Sequence, residues 1–169
     1  AAKAQLFTSE YADAAFINID NDYGQRLVEH SQIPATTLSR LSASADWYFT
    51  ELHTTSQGYE FSLRGPGGIL IESRTPLFGG YNADNLLMAI AIAVACGVDP
   101  IEIATVAPQL TGAPGRLDAV SLGQNFKAFV DYAHSPDAVR SVLKAAREFT
   151  SGRIIGVLGC GGDRDTSKR

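Results

Sequence analysis

The sequence has few cysteines, no excess of positive charge and no long hydrophobic run. Its two cysteines, Cys96 and Cys160, cannot build a disulfide framework and show no metal-ligand spacing, so a reducing, cytoplasmic setting is expected. A formal net charge of -4 argues against a general nucleic-acid surface. The longest apolar run, from Leu86 to Cys96, is shorter than the roughly 20 residues of a membrane-spanning helix. No basic region followed by an apolar stretch opens the chain, so a signal peptide and a membrane partner are not expected.

What is present is the composition of a folded protein. The chain has 169 residues, of which 45% are hydrophobic and 19% charged, enough to bury a core in one ordinary domain or in parts of two. It ends on "GGDRDTSKR", a glycine-rich loop with nothing after it. We therefore expect a piece of a larger protein.

The first two thirds of the chain alternate between strand and helix patterns. An apolar run at 14–20 predicts a strand, and a short helix is expected from Gly24 to His30. Two alternating runs around the turn at 65–68 predict a hairpin or small meander. The long Ala-rich run that begins at Tyr81 is apolar all round, which predicts a buried helix stopped by Gly97. A further helix should begin after Asp99 and end near Pro108.

The last third predicts a strand, a helix and a strand. A hairpin strand at 118–122 leads into "FKAFVDYA", and Ser135 is placed to cap the helix that follows. The run "RIIGVLG" at 153–159 predicts a strand covered on both faces of a sheet. Together these segments predict a βαβ unit with a right-handed crossover. We place a domain boundary near residues 112–116.

Two motifs in this last third carry polar groups at strand ends. In "GCGGDRD" Arg164 stands where a dinucleotide-binding loop needs its third glycine, and the chain has no Walker lysine pattern, so the signal is weak. The charges in and after the loop favour an anion site. A plain tight turn is the alternative. In "VDYAHSPDA", Asp131 and His134 bracket a strand end, where the carboxylate can accept from ribose hydroxyls and the imidazole can face phosphate. A loop cap and a surface histidine remain the alternative.

Amides and an arginine add to these groups. Asn82 and Asn85 stand three residues apart at the start of the predicted buried helix, where two amides could hydrogen-bond a purine edge. Ordinary helix capping explains one of them equally well. Arg116 lies in a Gly/Pro loop from which it could reach a phosphate, although a surface arginine is as good an interpretation.

Six motifs in order resemble the Mur ligase family of peptidoglycan biosynthesis. They are "AAKAQLF", "NIDND", "GGYNADNLLMAIA", "APGRLDAV", "VDYAHSPDA" and "GCGGDRDTSKR", and they run from Ala1 to Arg169. The last two favour the type that adds a diamino acid as the third residue to UDP-N-acetylmuramoyl-L-alanyl-D-glutamate. The resemblance implies an α/β fold. Residues 1–113 would be the rear part of a central ATPase domain with a small antiparallel sheet, and residues 114–169 the first βαβ of a Rossmann-like C-terminal domain.

The resemblance also implies a reaction and its cofactors, ATP and Mg²⁺. ATP phosphorylates the substrate carboxylate, and the amine of the diamino acid then attacks the acyl phosphate to form an amide. The family's residue roles fall on eight positions of this chain. Catalytic roles fall on Lys3, as a carbamoylated lysine associated with the metal, and on His134. Roles in ATP binding fall on Asn82, Asn85, Arg116, Asp131 and Lys168, and Arg164 is expected to hold the carboxylate of the diamino acid.

Several parts of such a ligase have no counterpart in the sequence. The phosphate-binding P-loop, the UDP-sugar-binding domain and the Asn/Pro/Arg motif that helps select the amino acid are all missing. We therefore expect this chain to be inactive alone, and monomeric. Three alternatives remain open: a relative of folylpolyglutamate synthetase, a non-catalytic nucleotide-binding module, and a folded scaffold without a ligand.

Overall fold

The computed structural model describes residues 2–159, with side chains from residue 4 onward. A five-stranded sheet forms its centre, in the spatial order β1-β2-β3-β4-β5. The strands are β1 (Ala15–Asn18), β2 (Ala35–Ser39), β3 (Trp47–Thr55), β4 (Gly58–Arg64) and β5 (Leu70–Thr75). The first three run parallel, and the last two pair antiparallel with their neighbours. The parallel half gathers carboxyl strand ends at one edge, the place where ligands of open α/β sheets usually bind.

Helix α1 (Asp22–His30) connects the first two strands. The side-chain oxygen of Asn21 caps it, accepting from the backbone N–H groups of Tyr23 and Gly24 at 3.0 Å each. Position 24 requires glycine because a Cβ there would lie 1.8 Å from the carbonyl oxygen of Asn18. The predicted strand and the predicted helix are both confirmed.

Strands β3, β4 and β5 form the predicted meander. The turn between β4 and β5 contains a short 3-10 turn at Pro66–Gly68, in which Gly67 and Gly68 have φ of 71° and 81°. Leu63 of β4 pairs with Ile71 of β5, and these side chains are 0% and 1% exposed. Their burial makes this part of the sheet the floor of the main core.

Helix α2 (Gly80–Ala95) covers that floor. Its buried side chains join those of the sheet in one cluster, which includes Leu38, Trp47, Phe61, Leu63, Ile71, Leu86, Leu87, Ile90 and Ala91. The predicted helix is confirmed, and Gly97, with φ of 92°, follows its end. It is buried on one side rather than all round, since Ile92 is 41% exposed. Neither α2 nor any other helix in residues 2–159 is long and apolar enough to cross a membrane.

Helix α3 (Pro100–Val106) leads from α2 back to the sheet. The Asp99 carboxylate caps it by accepting from the Ile101 N–H at 2.7 Å, and Pro108 lies in the 3-10 turn that follows. The Ser73 hydroxyl of β5 donates to the carbonyl oxygen of Ala104 at 2.6 Å, which fastens α3 to the sheet.

The C-terminal region forms a hairpin and a helix. Strands β6 (Asp118–Val120) and β7 (Ala128–Val130) pair antiparallel, and α4 (Pro136–Glu148) follows. The Ser135 hydroxyl oxygen accepts from the Ala138 N–H at 3.3 Å, so the predicted cap is confirmed. The predicted strand at 118–122 is shorter than expected.

The predicted strand at 153–159 is wrong. These residues form no strand, and Ile155 and Val157 are 71% and 94% exposed. A strand covered on both faces needs neighbouring strands and helices on each side. In the described part of the chain, β7 pairs only with β6. The α/β class is confirmed, but the βαβ unit has no second strand among the described residues.

Three phenylalanines join the C-terminal region to the sheet region. Phe78 follows β5 and is 7% exposed, Phe129 lies in β7, and Phe149 ends α4. Their ring centroids lie 4.8–5.3 Å apart, and Leu117 and Ala145 complete the cluster. We call the three rings the phenylalanine junction. It places the end of β7 beside the amino end of α2.

Candidate functional site

The candidate site lies where the end of β7 meets the first turn of α2. Asp131 directly follows β7, and Tyr81 is the second residue of α2. The Tyr81 hydroxyl donates to Asp131 Oδ2 at 3.1 Å, across 50 positions of sequence. Arg116 and Leu117 reach the same place from the loop before β6. Three segments that carry predicted site residues therefore converge.

The Asp131 carboxylate accepts three hydrogen bonds from groups within the described part of the chain. Oδ2 accepts from the Tyr81 hydroxyl and from the Leu117 N–H at 2.9 Å. Oδ1 accepts from the Ala133 N–H at 2.8 Å. An ionised carboxylate has about four acceptor positions, so this one is held in place with one position left, on Oδ1.

Tyr81 is a neutral donor in this arrangement. Burial raises the pKa of its phenol above the ordinary value, and the charge of Asp131 and the hydrogen bond to it raise it further, while Arg116 opposes the shift. The phenol therefore keeps its proton at any physiological pH. Nothing in the local sequence pattern marked this tyrosine, because its partner lies on a distant segment.

Leu117 has a backbone conformation that is unusual for a residue with a side chain. Its φ is 45°, in the left-handed region that favours glycine. This conformation turns its N–H toward Asp131 while its side chain, 5% exposed, enters the cluster at the phenylalanine junction. Strain of this kind persists where the surrounding contacts enforce it. Sequence analysis missed this residue as well.

The two predicted amides differ in their surroundings. Asn82 is 7% exposed, and its side-chain N–H donates to the carbonyl oxygens of Phe78 at 2.7 Å and Arg116 at 3.4 Å. Asn85 is exposed, one helical turn further on. In this structure Asn82 links α2 to the loop that carries Arg116, and Asn85 presents its amide to solvent. The role of both in binding adenine stays a prediction.

Arg116 and His134 are both exposed at the rim of the site. The Gly115 carbonyl oxygen beside Arg116 accepts from the Tyr132 N–H at 2.8 Å, which brings the Arg116 loop to the end of β7. His134 Nδ1 lies 3.0 Å from the carbonyl oxygen of Tyr132, and the two rings meet edge to face at 5.4 Å. The roles of both side chains at phosphate stay predictions.

Three predicted site residues lie wholly or partly outside the described residues. The backbone of Lys3 belongs to the 3-10 turn Ala2–Leu6, and its side chain is not described. Arg164 and Lys168 lie beyond residue 159. Their roles, and the magnesium site expected at Lys3, stay predictions. Among the described residues, no three His, Cys, Asp or Glu side chains are grouped so that they could hold a metal ion.

A second polar network lies at the carboxyl ends of β1 and β2. Asp20 accepts from the Ser39 hydroxyl and from the Arg40 N–H, the latter at 2.8 Å. Arg40 Nε donates to Asp84 of α2 at 2.9 Å. Burial raises the pKa of the Asp84 carboxyl, and the Arg40 guanidinium partly offsets that shift. The network fixes α2 against the sheet, and sequence analysis missed it.

The sequence matches two family domains. Residues 1–93 match the Mur ligase middle domain, and residues 115–169 match the domain described as "Mur ligase, glutamate ligase domain". The chain belongs to the Mur ligase family. The resemblance drawn from the six motifs is thus confirmed, whereas the boundary between residues 113 and 114 stays a prediction.

Relatives of this Mur ligase chain include UDP-N-acetylmuramoyl-L-alanyl-D-glutamate--2,6-diaminopimelate ligase of Streptomyces coelicolor. It is 44% identical over 169 residues, which are 99% of this chain and 33% of that protein. UDP-N-acetylmuramyl-tripeptide synthetase of Leifsonia xyli is 43% identical, over 100% of this chain and 34% of that protein. The chain spans about a third of the length of these curated relatives.

Solved structures agree with the family. A structure of UDP-N-acetylmuramoyl-L-alanyl-D-glutamate--2,6-diaminopimelate ligase matches with a TM-score of 0.75 and 34% identity, over 99% of this chain and 35% of that one. Mycobacterium tuberculosis folylpolyglutamate synthase matches with a TM-score of 0.68 and 19% identity, over 87% of this chain and 34% of that one. The second likeness shows a shared fold alone.

Proposed function

We propose that the chain is part of an ATP-dependent ligase that adds a diamino acid to UDP-N-acetylmuramoyl-L-alanyl-D-glutamate. The added residue is meso-diaminopimelate or L-lysine, and the product is the tripeptide precursor of peptidoglycan. The relatives named above support this substrate, because 43–44% identity extends over essentially the whole chain. The proposal places the enzyme in the cytoplasm as a monomer.

The observation that carries the proposal is the fixed carboxylate of Asp131 at a strand end. Its remaining acceptor position suits a ribose hydroxyl, with Arg116 and His134 at the rim for phosphate. Asn85, exposed on the first turns of α2, is the amide available to a purine edge. These groups would form the nucleotide side of an ATP site.

The proposed reaction transfers the γ-phosphoryl group of ATP to the substrate carboxylate, which yields an acyl phosphate and ADP. The amine of the diamino acid attacks the acyl carbon, and the tetrahedral intermediate expels inorganic phosphate and leaves an amide. Arg116 and Lys168 would offset charge on the transferred phosphoryl group, which is the main way proteins catalyse this step. Arg164 would hold the carboxylate of the diamino acid through its bidentate fork.

Lys3 would supply a metal ligand only after carbamoylation, which converts its amine into a carboxylate of the kind that Mg²⁺ prefers. The described side chains provide no group of three metal ligands on their own. Bound Mg²⁺ would neutralise phosphate charge during transfer.

The test uses the full-length protein that contains this chain. With ATP, Mg²⁺ and the UDP-muramoyl dipeptide, we expect one ADP per amide formed when diaminopimelate or lysine is supplied. Asp131→Ala should raise the KM for ATP about tenfold or more, since a hydrogen bond to a charged group is lost. Asp137→Ala is the matched control, because its exposed carboxylate pairs with Arg140, which is not a candidate site residue.

Absence of ATP-dependent tripeptide formation with either amino acid would refute the proposal. The 169-residue chain alone should form no tripeptide. The alternative of a nucleotide-binding module predicts that this chain binds ATP unaided, which calorimetry with ATP and Mg²⁺ would detect.

A further inference from the structure

We infer that Tyr81 is a positioning residue which leaves Asp131 one acceptor position, so that the carboxylate takes a single ribose hydroxyl. The inference rests on the proposed function and names the part of the nucleotide that Asp131 recognises. Tyr81 acts through Asp131 rather than on the nucleotide itself.

The lone pairs of the Asp131 carboxylate decide how many ribose hydroxyls it can accept. Oδ2 accepts from both the Tyr81 hydroxyl and the Leu117 N–H, which fills its two positions. Among the residues that the structure describes, Oδ1 accepts from the Ala133 N–H alone. A ribose offers two vicinal hydroxyls, and a carboxylate with both oxygens open could take one on each. With Oδ2 filled, only one hydroxyl can be bound, at Oδ1.

Tyr81 is held so that it stays on Oδ2. It lies in the first turn of α2, next to Asn82, whose side chain bonds the backbone on both sides of the site. Its ring packs at the edge of the phenylalanine junction. The raised pKa of its phenol keeps the donor protonated, so the bond persists over the working pH range.

Kinetics with two deoxynucleotides test the inference in the full-length ligase. Wild-type enzyme should discriminate strongly against one of 2′-deoxy-ATP and 3′-deoxy-ATP, with KM about tenfold or more above that of ATP. For the other analogue the KM should stay within about twofold of the value for ATP, because Asp131 does not contact that hydroxyl. This comparison needs no variant, so it does not depend on the folding of one.

Tyr81→Phe should change how the enzyme discriminates between the two deoxynucleotides. It opens a position on Oδ2, so the two analogues should become alike in KM, while kcat with ATP changes less than about threefold. Tyr59→Phe is the matched control: its hydroxyl donates to Glu148 at the same distance, 3.1 Å, and does not touch Asp131. Tyr59→Phe should still discriminate between the two analogues as the wild-type enzyme does, even if its Tm falls as much as that of Tyr81→Phe.

Equal discrimination against both analogues in the wild-type enzyme would overturn the inference and leave the proposed function standing. The same conclusion holds if Tyr81→Phe and Tyr59→Phe behave alike. Failure of the wild-type enzyme to use ATP at all would instead refute the proposed function, and the inference with it.

Discussion

The five-stranded sheet with α2 closes an apolar core on itself, whereas the C-terminal hairpin and α4 leave much of their apolar surface open. In the sheet region Leu63 and Leu87 are 0% exposed. In the C-terminal region every residue of β6 is exposed, and Leu143 of α4 is 42% exposed. The second region is therefore ordered through its contacts with the first, at the phenylalanine junction. The candidate site lies at this dependent boundary, so its geometry depends on that junction.

Phe78→Ala should loosen the C-terminal region from the sheet region, and it should have the largest effect on the free energy of unfolding. Truncating a buried phenylalanine typically costs about 3–5 kcal/mol. Because the lost contacts are those to Phe129 and Phe149, amide hydrogen exchange should quicken across 118–149 and much less within the sheet. The measurement is exchange detected by mass spectrometry on the full-length protein.

Two comparisons sharpen this prediction. Leu87→Ala, expected to cost about 2–5 kcal/mol, should quicken exchange in both regions, because it opens the core on which the junction rests. Phe126→Ala removes a ring that is 66% exposed, and it should change the exchange rates in neither region. Equal protection of 118–149 in Phe78→Ala and wild type would show that the C-terminal region is ordered independently.

Arg40→Ala tests the network that fixes α2 against the sheet. It should lower the free energy of unfolding by about 1–3 kcal/mol, because it removes the partner of the largely buried Asp84 carboxylate. Burial already raises the pKa of Asp84, and removing the cation should raise it further. The folded state then holds the proton more tightly than the unfolded state, so stability falls as pH rises through the raised pKa. The drop in Tm relative to wild type should be greater at pH 7 than at pH 4. An equal drop at both values would contradict this account.

Tyr59→Phe should have the smallest effect, a loss of about 1 kcal/mol in the free energy of unfolding, because it removes the hydrogen bond to Glu148. The size of this loss should depend on pH. Burial is the largest cause and the charge of Glu148 the second of a rise in the pKa of Tyr59 from 10.0 to about 12. Because the folded state holds this proton more tightly than the unfolded state, the raised pKa stabilises the fold below pH 10. This stabilisation is lost as the pH rises toward 12. Between these values the Tm of wild type should fall more steeply than that of the variant. The exposed Tyr23→Phe serves as control and should follow wild type.

Sequence patterns predicted the local elements because the causes of those elements are local. The caps at Asp99 and Ser135 and the turn at 65–68 depend on neighbours within a few residues. The Tyr81–Asp131 and Arg40–Asp84 bonds join positions 50 and 44 apart, and no local pattern encodes them. The left-handed Leu117 carries no signal, because leucine disfavours that conformation. At 153–159 the composition favoured a strand, but a strand also needs partners, which composition does not reveal.

The exposed run at 153–159 also determines how this chain behaves when handled in isolation. It contains two isoleucines, a valine and a leucine, with no acidic residue and no proline. Segments of this kind add to the edges of strands in other copies and start aggregation. Concentrated solutions of the isolated chain should therefore associate through these residues. A charged substitution such as Val157→Lys, at a side chain that is 94% exposed, is the conservative way to improve solubility, since that side chain makes little contact with the rest of the fold.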